Sequence, residues 1–362
     1  MQPQAVVPEP VPSPPTPPFA ARALSTVQRE VATALLVVEI IACALLSPQF
    51  LTGGNLLNIA DQASVYGLIA AGQMLVILSG GIDLSVGSLI AVGAFCAAVM
   101  SHTNVALAIV VPLVVTGALG LVNGIGAAYT RVPPFIITLA MLSVARGIAL
   151  QAAAVYQGAS ASGAGASAVS ANNTGLFPAI SQGKPFGSVF PLTFNAIIAL
   201  AVFIALAYVL RYTRFGRHVF AIGGNEAAAT LLGVKIRRVK IAMYTISGAL
   251  AGLGGVLLAS RLTSAPPTAA QGYELDAITA VVVGGTLLTG GVGTVRGTLV
   301  GLLIIVVLPN IFNLLGLDPA WQAVARGTVL LAVVLLQLVI VPDGDIGGLR
   351  LRARPKTPAK AA

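Results

Sequence analysis

The acid–base repertoire of this 362-residue chain is small: eleven acidic residues and two histidines. The carboxylate in the most telling setting is Asp83, in Gly80-Gly81-Ile82-Asp83-Leu84-Ser85-Val86-Gly87-Ser88, with an apolar run on either side. A charge in apolar surroundings is costly unless it faces a partner or water. The glycines allow a helix break or a close backbone approach. Asp83 followed by Ser85 therefore reads either as an N-cap opening a helix at a re-entrant turn or as a direct contact for a solute, with Ser85 and Ser88 beside it. A second Gly-rich run, Gly284-Gly285-Thr286-Leu287-Leu288-Thr289-Gly290-Gly291-Val292-Gly293, also follows an apolar stretch. Interrupted apolar segments at corresponding places in two halves point to a transport pathway, while small residues alone also serve close helix packing. Asp61 with Gln62, and Glu274 with Asp276, read as residues near the outer ends of apolar runs. There they are interfacial, or they contact a solute or a delivering partner.

Enzymatic and nucleotide chemistry find little support. A phosphate-cradling loop needs Gly, four residues, then Gly-Lys-Ser/Thr. Here Gly183-Lys184 is followed by Pro185, and Pro178 stands where the first glycine belongs. The chain is thus expected to bind no nucleotide, cofactor or metal. His102 and His218 lie in different connections and form no acid–base or metal couple. Cys43 and Cys96 both sit in apolar runs, without disulfide or metal-ligand spacing.

The elements that hold these residues follow from composition. Hydrophobic residues make up 57% of the chain and charged residues only 9%, where soluble domains carry about a quarter charged. Runs of membrane-spanning length, without period-two alternation, predict an all-α polytopic helical bundle. Ten stretches qualify, near 31–47, 59–79, 84–100, 106–128, 134–150, 194–210, 241–260, 276–290, 297–316 and 322–341. The first is short and the eighth is broken by its glycines, so eight full spans plus two partial ones fit nearly as well. Some spans are then broken or re-entrant. All but four of the 20 basic residues (Arg146, Lys184, Arg261 and Arg326) fall on one side of the membrane. That asymmetry predicts cytoplasmic termini and explains the net charge of +9 without nucleic-acid binding.

Residues 1–29 read as a disordered Pro-rich cytoplasmic tail, 30–341 as the membrane domain and 342–362 as a basic cytoplasmic tail. Ala159 to Ala171, nearly all Ala, Ser and Gly, has little to bury and is expected to be mobile. By contrast, Asn225-Glu226-Ala227-Ala228-Ala229-Thr230-Leu231-Leu232, closed by Gly233, predicts a short cytoplasmic helix that docks something.

Taken together these segments resemble the permease subunits of bacterial ABC importers for ribose and related monosaccharides. The resemblance runs over roughly residues 30 to 341. It rests on SGGIDLSVGS at 79–88, GGNEAAATLLGV at 223–234, SAPPTAAQGYELDAITAVVVGGTLLTGGVGTVRGT at 264–298 and LSPQFLTGGNLLNI at 46–59. It implies a multi-pass protein of the bacterial inner membrane that pairs with a second copy of itself. It further implies a cytoplasmic subunit carrying ATP and Mg, and an extracytoplasmic sugar-binding protein. Gly224, Asn225, Glu226, Ala227, Ala228 and Gly233 would form the coupling helix. Asp83, Ser85, Ser88, Gly284, Gly285 and Thr286 would line the pathway or gate, and Asp61, Gln62, Glu274 and Asp276 would face the binding protein or solute. Leu287 departs from the family, which more often has a small polar residue there. The alternatives are an ABC permease for a nucleoside or other small polar solute, and an ion-coupled transporter using Asp83. An intramembrane enzyme lacks a nucleophile–base pair.

Overall fold

A computed structural model describes residues 19–158, 167–172, 175–185, 187 and 192–340. Both tails, apart from residues 19–29, and the start of the Ala/Ser/Gly stretch lie outside the described residues. Thirteen helices and one two-stranded antiparallel sheet are found among them. In chain order the helices are α1 (Phe19–Leu46), α2 (Gly53–Leu78), α3 (Val86–Ser101), α4 (Val105–Tyr129), α5 (Pro134–Tyr156), α6 (Leu176–Gln182) and α7 (Phe194–Tyr212). There follow α8 (Arg214–Gly224), α9 (Glu226–Leu231), α10 (Ile236–Leu262), α11 (Tyr273–Val283), α12 (Val295–Leu314) and α13 (Pro319–Ile340). The strands are β1 (Val169–Ser170) and β2 (Ser264–Ala265).

Each of the ten apolar stretches contains a helix. Six of these helices, α2, α4, α5, α7, α10 and α12, are long and apolar enough to cross a membrane. They fall into two groups. In α2, α10 and α12 the most apolar window is 61–78% buried, whereas in α4, α5 and α7 it is 22–28% buried. The first group forms the core, and the second presents apolar side chains outward, as helices bordering lipid do. The eighth stretch is corrected: α11 stops at Val283, and residues 284–290 leave the helix. Gly284, Gly297 and Gly301 let α11 and α12 lie backbone to backbone, and the chain then needs a left-handed residue at Gly285 (φ 86°) to turn away. Helix α1 also begins at Phe19, inside the segment read as a tail, once the proline run has ended.

The tightest pair is α4 with α10, which cross through small residues. A Cβ on Gly120 would meet the Tyr244 carbonyl oxygen, and one on Gly124 would stand 2.7 Å from the Ile241 Cα. Without a hydrophobic drive between helices in lipid, such backbone proximity is what holds them together. The end of the Ala/Ser/Gly stretch is not mobile as expected. Val169 pairs with Ala265, and Asn172 N–H donates to Ser101 Oγ at 2.8 Å, so the segment is sewn to the end of α3.

Two glycine substitutions separate packing from propensity. Gly252→Ala drives a methyl into Thr116 and the Pro112 carbonyl, whereas Gly147→Ala meets nothing within 4 Å. The first should lower the unfolding temperature of the detergent-purified protein. The second should leave it unchanged or raise it, because alanine favours helix over glycine by about 1 kcal/mol.

Candidate functional site: two broken helices and the segment that joins them

The turn between α2 and α3 is built from the inside of the bundle. Asp83 is fully buried. Its Oδ1 accepts from Ser85 N–H at 3.0 Å and Ser85 Oγ at 2.6 Å, and its Oδ2 accepts from Ser247 Oγ of α10 at 3.0 Å. Asn123 Nδ2 of α4 donates to Ser85 Oγ at 2.9 Å. The Gln73 side-chain amide of α2 pairs with both main-chain groups of Asp83, donating to its O at 3.0 Å and accepting from its N at 3.2 Å. Thr138 Oγ1 of α5 accepts from Leu84 N–H at 3.1 Å and reaches Ile82 O at 3.2 Å. Four helices besides α3 thus close on the turn that carries this carboxylate. The N-cap of α3 is Ser85, which makes no side-chain cap bond, and Asp83 holds that cap from two residues before. Ser88 is buried, and its Oγ has no hydrogen-bond partner.

The second broken element begins at β2. Ala265 lies in one apolar cluster with Ala97 and Ala98 of α3. Five residues later the Ala270 carbonyl reaches Gly87, 2.6 Å from where a Cβ would stand. That is ten residues down α3, about 15 Å of helix, within reach of five extended residues. Residues 266–272 therefore run down the inside of the bundle without helical structure, and α11 starts level with the middle of α2. There Tyr273 stacks on Tyr66, ring centroids 4.2 Å apart.

An unhydrated backbone needs partners, and Arg146 supplies two. From the middle of α5 its Nη1 donates to Pro267 O and Ala269 O, each at 2.9 Å. The Glu274 carboxylate lies in the field of Arg146 and occupies the space left by the missing side chain of Gly87. Glu274 and buried Asp276 stand in the first turn of α11, where acids suit the helix dipole. These two residues are not at an outer span end as expected: the non-helical descent carries them inward. Arg146 was missed because a lone arginine in an apolar run reads as a span boundary; its cue was Pro266-Pro267, which forces non-helical backbone nearby.

The two breaks meet. Gly291 N–H donates to Leu78 O at 2.9 Å, joining the loop after α11 to the end of α2. Gly223, at the end of α8, fits into the same corner: a Cβ there would overlap Leu78 O and Gly291 N. Directly after it, Asn225 caps α9 by accepting from Ala228 N–H at 2.9 Å. Glu226 is held by Lys240 Nζ at 2.8 Å to both oxygens, and Gly233 ends the unit with φ 77°. Leu231 and Leu232 at its tip are 90% and 81% exposed. Thr286 is buried, and Leu287 is buried rather than lining an opening.

At the far end of the bundle Asp61 accepts from Thr193, and Arg261 donates to Asn58 at 2.7 Å, around a cavity of about 320 Å³. Gln62, half-buried, follows Asp61 on α2 but does not line that cavity. The structure thus unites Asp83 with Ser85, and Glu274 with Arg146, and leaves Asp61 apart from Glu274 and Asp276.

Residues 55–334 match the family model described as branched-chain amino acid transport system / permease component. The chain belongs to that permease family. It is 43% identical to the ribose import permease protein of Escherichia coli (strain K12), over 83% of this chain and 91% of that one. It is also 43% identical to the ribose import permease protein of Bacillus subtilis (strain 168), over 83% and 90%. To the L-arabinose transport system permease protein of Escherichia coli (strain K12) it is 36% identical, over 82% and 87%. No solved structure matches. The chain is a ribose-type permease of an ABC importer, a multi-pass protein of the bacterial inner membrane.

The Asp83 knot makes a graded prediction. Ser247→Ala removes one bond to a carboxylate and should destabilise by about 1.5–3 kcal/mol, while Asp83→Ala strands several donors at once and should cost more. Thermal unfolding in detergent reads both; equal melting temperatures for Asp83→Ala and the parent would contradict the knot.

Proposed function

We propose that this chain is the pore-forming subunit of a binding-protein-dependent importer for a neutral monosaccharide, ribose or a related sugar, driven by ATP hydrolysed on a partner. The carrying observation is mechanical: exposed α9 is joined through Gly223 to the backbones of both broken elements. A bundle that powered itself would have no use for an exposed apolar tip wired to its interior. In this reading the α9 end is cytoplasmic and the Asp61–Thr193 cavity is the outer mouth. Tyr66, Tyr273 and the descending segment then lie near mid-membrane, and two copies of the chain enclose the route.

The relatives named for ribose and arabinose support a sugar as cargo. The local chemistry agrees. Arg146 offsets the charge of Glu274, one of the two acids that open α11. The Tyr66–Tyr273 pair and the exposed Thr268 and Gln271 offer stacking faces and hydrogen-bonding groups instead. Closure of the ATP-binding partner pushes α9, the Gly223 corner moves the loops at 79–85 and 284–294, and access switches sides. An ion-coupled transporter using Asp83 is disfavoured because three donors from Ser85 and Ser247 already occupy that carboxylate.

Reconstitution in liposomes tests the proposal. Uptake of labelled ribose should need this chain, the ATP-binding subunit, the binding protein and ATP together; uptake by this chain alone down an ion gradient would contradict it. Leu231→Asp/Leu232→Asp should abolish ATP-driven uptake and association with the ATP-binding subunit while leaving the fold intact.

A further inference from the structure

Beside α9 lies an open groove that the transport route does not use. It has a volume of about 530 Å³ and is bounded by Ala128 and Tyr129 at the end of α4, by Glu226 and Thr230 of α9, and by residues 234–238 and Lys240 leading into α10. Its charges do not balance. The one carboxylate, Glu226, is taken up by Lys240. The Arg237 guanidinium lies over the Tyr129 ring, 4.8 Å from its centroid. Lys235 and Arg238 are exposed, and their side chains make no hydrogen bond or ion pair among the described residues.

What enters this groove from the membrane side is apolar. Val110, Val114, Leu121, Ile125 and Tyr129 of α4 are exposed and follow one another at intervals of four or seven residues, a single face of the helix. From Val110 to Tyr129 that face is about 28 Å long, close to the hydrocarbon thickness of a bilayer. Its cytoplasmic end opens on the free cations. A ligand complementary to both parts is an amphiphile with an anionic head and an acyl chain. A soluble phosphate would satisfy the cations but leave the stripe unused, and an acidic protein surface likewise.

We propose that this groove binds the headgroup of an anionic phospholipid of the inner leaflet, with Lys235 and Arg238 on the phosphate, Arg237 held ready by Tyr129, and an acyl chain along the open face of α4. Basic pockets at the cytoplasmic ends of membrane helices take such headgroups. The lipid would touch α4, α9 and α10 together, and so would bear on the position of α9. The inference needs only the membrane placement of the bundle and is independent of which solute is carried.

The test uses the purified full chain in nanodiscs mixing phosphatidylglycerol with phosphatidylcholine, with retained lipid counted by native mass spectrometry. The parent should retain phosphatidylglycerol selectively. Lys235→Gln/Arg238→Gln should weaken that retention roughly tenfold or more, the loss expected for two headgroup cations. The control, Arg214→Gln/Arg217→Gln on exposed α8, removes equal charge outside the groove and should leave retention unchanged. Equal loss in both double variants means diffuse attraction to a basic surface and overturns the proposal. Two other results also overturn it: full retention by the groove variant, or displacement by inorganic phosphate. Neither ATP nor sugar enters the readout, so it stands or falls apart from the transport reading.

Discussion

A carboxylate sealed from water has to be satisfied by the protein, and Asp83 recruits its satisfaction from across the bundle. Ser85 and Ser247 bind the side chain, Gln73 binds the backbone, and Asn123 and Thr138 brace the turn around it. Buried polar groups need partners; the carboxylate has them, while Asn123 Oδ1 and Ser88 Oγ beside it have none among the described residues. The outcome is a fixed point where α2, α4, α5 and α10 meet, towards the α9 end of the bundle. The glycine corner at Leu78, Gly223 and Gly291 packs close to that point. Rigid knot and close-packed corner are adjacent because they are parts of one turn.

The second break obeys the same constraint by other means. Prolines 266 and 267 prevent α10 from simply continuing into α11, and the exposed carbonyls are answered by a long cation from α5. An arginine inside a span is expensive unless it is used; here it holds non-helical backbone inside the bundle. Both breaks therefore combine unwound chain, glycine and a borrowed side chain, which fits the general pattern of discontinuous helices at transport sites.

Much of this could be read from residues alone. Apolar run lengths revealed the helices, and Asn225 to Gly233 revealed α9, because capping and helix propensity are local properties. The Gly-rich runs marked the breaks for the same reason. What stayed hidden was three-dimensional pairing. Nothing in the spacing of Asp83 and Ser247, 164 residues apart, announces their hydrogen bond. Glu274 and Asp276 looked like residues at a span end because the inward course of 266–272 depends on tertiary contacts with Arg146 and Gly87. The ordering of Val169 to Ala171 was likewise invisible, since it comes from pairing with β2 and not from composition.

The central claim is that α9 is mechanically joined through Gly223 to the end of α2 and the loop after α11, and through α11 to the descending segment. In a background with Cys43 and Cys96 replaced by alanine, Thr268→Cys can be labelled from the outer side in the reconstituted complex. The account predicts that ATP changes the labelling rate in the parent and that Gly223→Ala, which wedges a methyl against Leu78 O and Gly291 N, removes that response while the ATP-binding subunit stays bound. An ATP response of equal size in both would contradict it.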